Sequence, residues 1–225
     1  MTATAAPQWA RTARRMTRAS LLSLAWFWAI CVIAGTVVIL VLDWRMGEPP
    51  FSIMSTIRYG GIWYPFSVAL IVVTATINVH VAAGMTRRSF VIGALISNVV
   101  IGVVNGIAMT AVLAIERGIY LDQGWSHVAT SAAPIPSAWG VSLVFHCVMF
   151  LAGGLSGVLV GLTYYRWGAW ATLALPLTVL APIIASGLDP AVVTVAVIAA
   201  TTVATAVASY AMARTIAIRK PLEMS

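Results

Sequence analysis

The residues of this chain that could take part in chemistry are few, and most of them lie within long apolar stretches. Asn98, Gly102, Asn105 and Gly106 follow the i, i+4, i+7, i+8 spacing of one helical face. A neighbouring helix can approach closely along such a face, and the amides can form hydrogen bonds across the contact. His146 lies in the middle third of a later apolar stretch, where a neutral imidazole can bond to one of these amides. Two interpretations are open for these five residues, which are either a packed seam between helices or the lining of a substrate pathway.

The sequence contains none of the common motifs for covalent or metal catalysis. It has no glycine-rich phosphate loop followed by lysine, no His-Glu-x-x-His helix, no Cys-x-x-Cys pair and no Gly-x-Ser-x-Gly turn. The spacing of Glu116, Asp122 and His127 matches no known metal site. Cys31 and Cys147 lie in apolar stretches and are interpreted as unpaired buried thiols. We therefore expect this chain to have no catalytic residues, cofactor or metal of its own.

The composition predicts an all-α integral membrane protein. Hydrophobic residues make up 61% of the chain and charged residues only 8%, whereas a soluble domain is about 25% charged. The net charge of +7 does not indicate a nucleic-acid partner, because the basic residues are dispersed around apolar stretches instead of gathered on one face. No charged residue lies near the centre of an apolar stretch, which disfavours an ion-coupled carrier.

The elements that position these residues are six predicted transmembrane helices. A helix needs about 20 apolar residues to cross a bilayer, and we predict one transmembrane domain over residues 1–225 with spans at about 21–42, 61–81, 90–115, 139–162, 169–184 and 191–211. The fifth span is short and contains Pro176 and Pro182, which remove backbone donors. We therefore predict a broken or re-entrant segment before the last helix. The predicted outer loops are Asp43–Gly60 and Glu116–Ser137.

The distribution of the basic residues predicts how the six spans are oriented in the membrane. If the amino terminus is cytoplasmic, only Arg45, Arg58 and Arg117 of the 13 Lys and Arg residues fall on the outer side. An excess of Lys and Arg on the cytoplasmic side is typical of membrane proteins. We predict a multi-pass protein of the cell membrane with both termini in the cytoplasm.

Residues 7–19 precede the first span and show an amphipathic pattern. At about 100° per residue, Trp9, Ala13 and Met16 lie opposite a basic face made of Arg11, Arg14, Arg15 and Arg18. This pattern predicts an interfacial helix that binds membrane lipid on the inner leaflet. The alternative is a disordered basic tail that only fixes the orientation of the chain.

Two glycine-containing segments predict local structure. Gly153, Gly157 and Gly161 form a ridge of small residues, which indicates tight helix packing within one chain or across a dimer. Gly84 can end the second helix as a left-handed cap. Thr86 can cap a short following helix that presents the two arginines after it along the membrane plane.

The loop after the second span resembles one found in a known family. The residues His80, Val81, Gly84, Met85, Thr86, Arg87, Arg88, Ser89 and Phe90 are similar to the corresponding loop in permease subunits of ABC-type exporters, in particular the compact six-span permeases of actinobacteria. The resemblance implies a separate nucleotide-binding ATPase subunit that carries MgATP, and a second six-span subunit that is the same or related. It also implies that Gly84 to Phe90 form the coupling element to the ATPase. The rival hypothesis is a non-transporting membrane anchor or sensor subunit for a cytoplasmic partner.

Overall fold

A computed structural model of the protein describes residues 7–125, 139–168, 170, 178, 184 and 191–214. These residues form five helices, which are α1 Gln8–Met46, α2 Ile53–Ala82, α3 Arg87–Asp122, α4 Trp139–Trp167 and α5 Ala191–Ala213. Each is long enough and apolar enough to cross a membrane, and no strand occurs among the described residues. The prediction of an all-helical chain of the membrane type is confirmed to this extent. The predicted fifth span, 169–184, lies almost entirely outside the described residues.

The outward faces of the helices are apolar, as expected for contact with lipid. On α1, large apolar side chains are exposed at nearly every turn, including Leu22, Trp26, Ile30, Ile33, Val37 and Leu40. A soluble protein rarely exposes a contiguous apolar surface of this kind. Several polar side chains are instead buried, among them Ser97, Asn105 and His146.

Contacts along α1 and α3 show that these two helices run in the same direction. Thr12 lies against Gly93 near the start of both helices, and Ile39 packs with Tyr120 near their ends. α1 is a single helix of 39 residues, or about 58 Å at 1.5 Å per residue. No glycine or proline interrupts the chain between Gln8 and Gly35. The segment 7–19 is therefore the first part of α1 and not a separate interfacial helix.

The glycine ridge of α4 packs against α2, and the two helices run in the same direction. A Cβ atom added at Gly153 would lie 2.7 Å from the carbonyl oxygen of Ile62, and one added at Gly161 would lie 2.9 Å from Cβ of Val73. At Gly157 the added atom would overlap the carbonyl oxygen of Phe66. The predicted tight packing is confirmed, and it occurs within one chain.

The helices extend beyond the apolar stretches that predicted them, so the outer loops were predicted too long. α1 continues to Met46 and is capped by Gly47 at a φ of 79°, while α2 begins at Ile53. The loop predicted at Asp43–Gly60 shrinks to residues 47–52. The prediction was wrong because it ended each helix at the last apolar residue, whereas the backbone stays helical until a cap stops it.

The longer helices also change the location of two charged residues that were predicted to lie in outer loops. Arg58 lies in the second turn of α2, and Glu116 lies within α3. The side chain of Glu116 is buried, with one carboxylate oxygen accepting from the Ser52 hydroxyl at 2.5 Å and the other from the Met54 N–H at 3.1 Å. Glu116 therefore caps the start of α2, where the unpaired N–H groups of a helix favour a negative charge.

Candidate functional site

The turn between α2 and α3 has the left-handed glycine that the sequence predicted. Gly84 has a φ of 74°, its N–H donates to the Val81 carbonyl at 3.0 Å, and the Met85 N–H donates to the His80 carbonyl at 3.2 Å. These bonds satisfy carbonyl groups that would otherwise be unpaired at the end of α2. The prediction that Gly84 ends the second helix is confirmed.

Thr86 caps the next helix, but that helix is α3 itself. The Thr86 hydroxyl oxygen accepts from the Ser89 N–H at 3.1 Å, and the Ser89 hydroxyl donates to the Thr86 carbonyl at 2.7 Å. The predicted short helix along the membrane plane does not form, because Arg87 and Arg88 are the first residues of a continuous helix of 36 residues. The two arginines therefore lie at the tip of a long rigid helix.

Two aromatic rings and a serine fix the turn from the inside. Nε2 of His80 lies 3.2 Å from Oγ of Ser89, and the rings of His80 and Phe90 meet edge to face with centroids 5.1 Å apart. Phe90 is completely buried and Ser89 nearly so. Of the predicted coupling residues, Ser89 and Phe90 thus hold the turn in place, Met85 and Arg87 are half-buried, and Gly84, Thr86 and Arg88 form the exposed surface.

The turn also contacts the first and last described helices. Oε1 of Gln8 in α1 accepts from the Thr86 N–H at 3.4 Å. The guanidinium carbon of Arg88 lies 5.6 Å from the centroid of the Tyr210 ring in α5, and that of Arg214 lies 5.5 Å from the same centroid. The turn, the start of α1 and the end of α5 therefore meet at one end of the bundle.

The amphipathic pattern of residues 7–19 is directed at the protein. Thr12 and Ala13 are buried against α3, the Thr17 hydroxyl donates to Oγ of Ser97 at 3.1 Å, and Met16 is half-buried in the core. The basic face is exposed and consists of Arg11, Arg14, Arg15 and Arg18. Trp9 is 41% exposed. The two faces are those that the sequence predicted, but the apolar one packs on α3.

The glycines of the predicted seam bring α3 into backbone contact with α4. A Cβ atom at Gly106 would lie 2.6 Å from the backbone nitrogen of Cys147, and one at Gly102 would lie 2.9 Å from Cα of Leu151. Asn98 does not bond across this contact, since its amide donates to the Ala94 carbonyl of its own helix at 2.9 Å. These contacts are those of a packed seam, and the pathway interpretation stays a prediction.

Asn105 and His146 bond to partners that the sequence did not predict. Oδ1 of Asn105 accepts from the indole N–H of Trp28 in α1 at 2.8 Å. Nδ1 of His146 lies 3.3 Å from the Ser142 hydroxyl and 3.4 Å from the Thr110 hydroxyl, so its partners are hydroxyl groups and not a seam amide. Nδ2 of Asn105 and Nε2 of His146 are buried and have no hydrogen-bond partner among the described residues.

A small cavity lies between α1, α2 and α3. Its volume of about 20 Å³ has room for about one water molecule. Met16, Ser20, Pro65, Ser97 and Asn98 are among the residues that line it. The cavity is too small to hold a substrate in the arrangement of helices described.

Sequence reasoning missed a polar stripe on α5 and the position of Arg58. The residues Thr194, Thr202, Thr205 and Ser209 are buried along one face of α5, and three of these hydroxyls donate to carbonyls of their own helix. Their spacing of eight, three and four residues, which is close to whole turns of a helix, would have revealed this face. Arg58 lies on the buried side of α2, with its guanidinium carbon 4.8 Å from the Tyr59 ring centroid and 5.6 Å from that of Phe145.

No family model, curated protein or solved structure matches this chain. The fold and the site define a helical protein with five described helices of membrane-spanning character and a rigid basic turn at one end of the bundle.

Proposed function

We propose that this chain is the transmembrane permease subunit of an ATP-driven, ABC-type exporter. A separate nucleotide-binding subunit would carry MgATP and press on the turn 84–90. The observation that carries this proposal is the construction of the turn. Gly84 and Thr86 cap the two helices it joins, while Arg88 is exposed beyond them.

The contacts of the turn suit it to transmit force. His80, Ser89 and Phe90 fix it to the ends of α2 and α3, and it also contacts Gln8 and Tyr210. A displacement of the turn would therefore move several helices together and not bend a loop. ATP on the partner would favour one arrangement of the helices if the partner binds that arrangement more tightly.

The directions of α4 and α5 support a sixth crossing. Ile198 of α5 packs with Ala152 of α4, and Ala213 packs near Leu162, so the two helices run the same way. A sixth crossing between these two helices would return the chain along the bundle. The Ser156 hydroxyl, midway along α4, donates to the Thr178 carbonyl at 2.6 Å, which fits such a return.

The distribution of charge supports cytoplasmic termini in the cell membrane. The end of the bundle that carries the turn also carries the exposed arginines of α1, together with Arg166 and Arg214 near the ends of α4 and α5. Positive charge at this density is typical of the cytoplasmic side. Because the glycine ridge of α4 is covered by α2, a second six-span subunit, the same or related, would dock on another surface.

The experiment is to express the chain with its operon neighbours in the original host and to purify it by a tag. We expect an ATPase to co-purify. The double variant Arg87→Glu with Arg88→Glu should insert normally and lose stimulation of that ATPase. The control, Arg45→Glu with Arg117→Glu, makes an equal change of charge at the opposite end of the bundle and should retain stimulation of the ATPase. The proposal is falsified if no ATPase co-purifies with the wild-type chain.

A membrane anchor or sensor subunit is the second candidate, and the packing of the seam favours it. Gly102 and Gly106 bring α3 against the backbone of α4, and the neighbouring cavity holds about one water molecule. An anchor would keep its activity when Asn98, Asn105 or His146 is changed to alanine. A transporter that uses these residues along its pathway would lose transport while still binding its ATPase.

A further inference from the structure

Arg58 and His146 each bury a nitrogen atom that has no hydrogen-bond partner in the described part of the chain. These atoms are Nε of Arg58 and Nε2 of His146, in the half of the bundle away from the turn 84–90. His146 is 1% exposed, and Arg58 is half-buried. Buried polar groups are almost always paired, and an unpaired one destabilises the fold. Two such atoms on neighbouring helices indicate a polar site between α2 and α4.

The packing of α2 on α4 brings these two side chains to the same level. Gly61 lies opposite Phe150, at 3.2 Å from an added Cβ atom to the ring. Arg58 precedes Gly61 by one turn and His146 precedes Phe150 by one turn. Phe145 joins them, because its ring centroid lies 5.6 Å from the Arg58 guanidinium carbon and 5.2 Å from the His146 ring.

The chemistry of the pair indicates an anionic ligand. Nη2 of Arg58 donates to the Tyr59 hydroxyl at 2.9 Å, whereas Nε of the same guanidinium has no partner among the described residues. No carboxylate among the residues described forms an ion pair with Arg58. Arg58 lies in the second turn of α2, and a long basic side chain near the end of a membrane-spanning helix can reach the headgroup region. The planar guanidinium group matches the oxygens of a phosphate or carboxylate with two parallel hydrogen bonds.

We propose that Arg58 and His146 bind a phosphate group, carried by a lipid headgroup or by a free solute. Donors from two helices suit a tetrahedral anion. The Arg58 guanidinium group can donate hydrogen bonds to two of its oxygens, while Nε2 of His146 donates to a third. In the bound form Nε2 carries the proton, and the Ser142 hydroxyl donates to Nδ1. Tyr59 and Trp63, 44% and 41% exposed, place this level among the aromatic residues typical of the headgroup region. The site is independent of any ATPase partner.

The test uses the purified full chain in maltoside detergent, labelled with ¹⁵N-histidine. The probes are inorganic phosphate and dihexanoyl phosphatidic acid at a concentration below micelle formation. The chain has three histidines, and a His146→Gln variant assigns the His146 resonances. We expect a saturable shift of the His146 Nε2 resonance and a higher thermal midpoint. Binding of inorganic phosphate identifies a solute site, and binding of the lipid probe alone identifies a headgroup site.

Three arginine variants define the expected affinities. Arg58→Gln should weaken binding about tenfold or more, since it removes charged hydrogen bonds. Arg58→Lys keeps the positive charge but lacks the planar guanidinium group, so this variant should bind the probes with intermediate affinity. Arg45→Gln changes an exposed arginine at the same end of the bundle and should bind like the wild type. The proposal is overturned if neither probe shifts the His146 resonance in the wild type, or if Arg58→Gln binds as tightly as the wild type. The wild-type titration does not depend on any arginine variant, so it tests the proposal even if Arg58→Gln does not fold.

Discussion

The indole N–H of Trp28 donates a hydrogen bond of 2.8 Å to the side-chain oxygen of Asn105, and both side chains are buried. This bond joins α1 to α3 within an otherwise apolar cluster that includes Leu24, Met109 and Phe150. An indole can only donate, so the amide oxygen must face it. The bond therefore fixes the orientation of Asn105 and one register between the two helices.

Loss of the hydrogen bond between Trp28 and Asn105 should destabilise the bundle, and the effects of changing the two residues should not be additive. Asn105→Ala leaves the Trp28 N–H unpaired, and Trp28→Phe leaves the amide oxygen unpaired. Each should lower the free energy of unfolding by about 1–3 kcal/mol. The double variant should lose less than the sum of the two, because it leaves neither partner unpaired. Thermal unfolding in detergent measures these differences.

The control for this cycle is Asn78→Ala, which removes the exposed bond from the Tyr165 hydroxyl to Asn78. This variant should lose much less stability than Asn105→Ala, because water can replace an exposed hydrogen bond. Strictly additive effects of Trp28→Phe and Asn105→Ala would show that the two residues are not coupled.

The glycine ridge of α4 should tolerate no Cβ atom where it meets α2. Gly153→Ala and Gly157→Ala each push a methyl group against a backbone carbonyl, of Ile62 and of Phe66 respectively. A carbonyl cannot move aside as a flexible side chain can, so we expect each variant to lose about 1–3 kcal/mol. The thermal midpoint of the purified chain provides the measurement.

Gly140→Ala is the matched control on the same helix. An added Cβ atom there meets no described residue within 4 Å, and alanine is favoured over glycine inside a helix by roughly 0.5–1 kcal/mol. We expect this variant to be at least as stable as the wild type. If Gly157→Ala behaved like Gly140→Ala, α2 and α4 would not be in backbone contact.

Features that depend on local spacing were predictable from the sequence. Gly84 and Thr86 cap helices as expected, because the residue type alone favours those backbone conformations. The ridge at Gly153 and Gly157 was predictable for the same reason. Whether it packs within the chain or against a second copy was left open, because spacing along one helix does not specify which helix covers it.

Features that depend on tertiary contacts were not predictable. Glu116 was assigned to an outer loop because it is charged, yet it is buried where α3 passes the start of α2. The continuity of α1 was missed because a change from a basic to an apolar composition does not end a helix. Only a cap or a breaker does so, and the first such residue that stops α1 is Gly47.

Glu116 should stabilise the contact between α3 and the start of α2. Glu116→Ala removes the acceptor for both the Ser52 hydroxyl and the Met54 N–H, and we expect a loss of about 1–3 kcal/mol. Glu116→Gln keeps one acceptor oxygen and should lose less. Asp122→Ala, which changes an exposed carboxylate at the end of the same helix, should have little effect. Equal thermal midpoints for Glu116→Ala and Asp122→Ala would contradict the proposed cap.

Gly84 tests whether the conformation of the turn matters. Its φ of 74° is in the left-handed region, which costs an alanine roughly 1–2 kcal/mol. Since no described residue lies within 4 Å of an added Cβ atom, we expect this backbone strain to be the main cost of Gly84→Ala. Asparagine tolerates the same conformation better than alanine, so Gly84→Asn should lose less stability than Gly84→Ala.

The location of the change can be measured by hydrogen exchange. Gly84→Ala should speed exchange at the Met85 and Ser89 amides, which donate to the His80 carbonyl and the Thr86 hydroxyl. Amides in the middle of α4 should be unaffected, because local opening of one turn leaves the rest of the bundle folded. If the turn couples to an ATPase, this variant should also weaken ATPase stimulation without removing a charge. Unchanged exchange at Met85 and Ser89 in Gly84→Ala would mean that the left-handed glycine does not hold the turn.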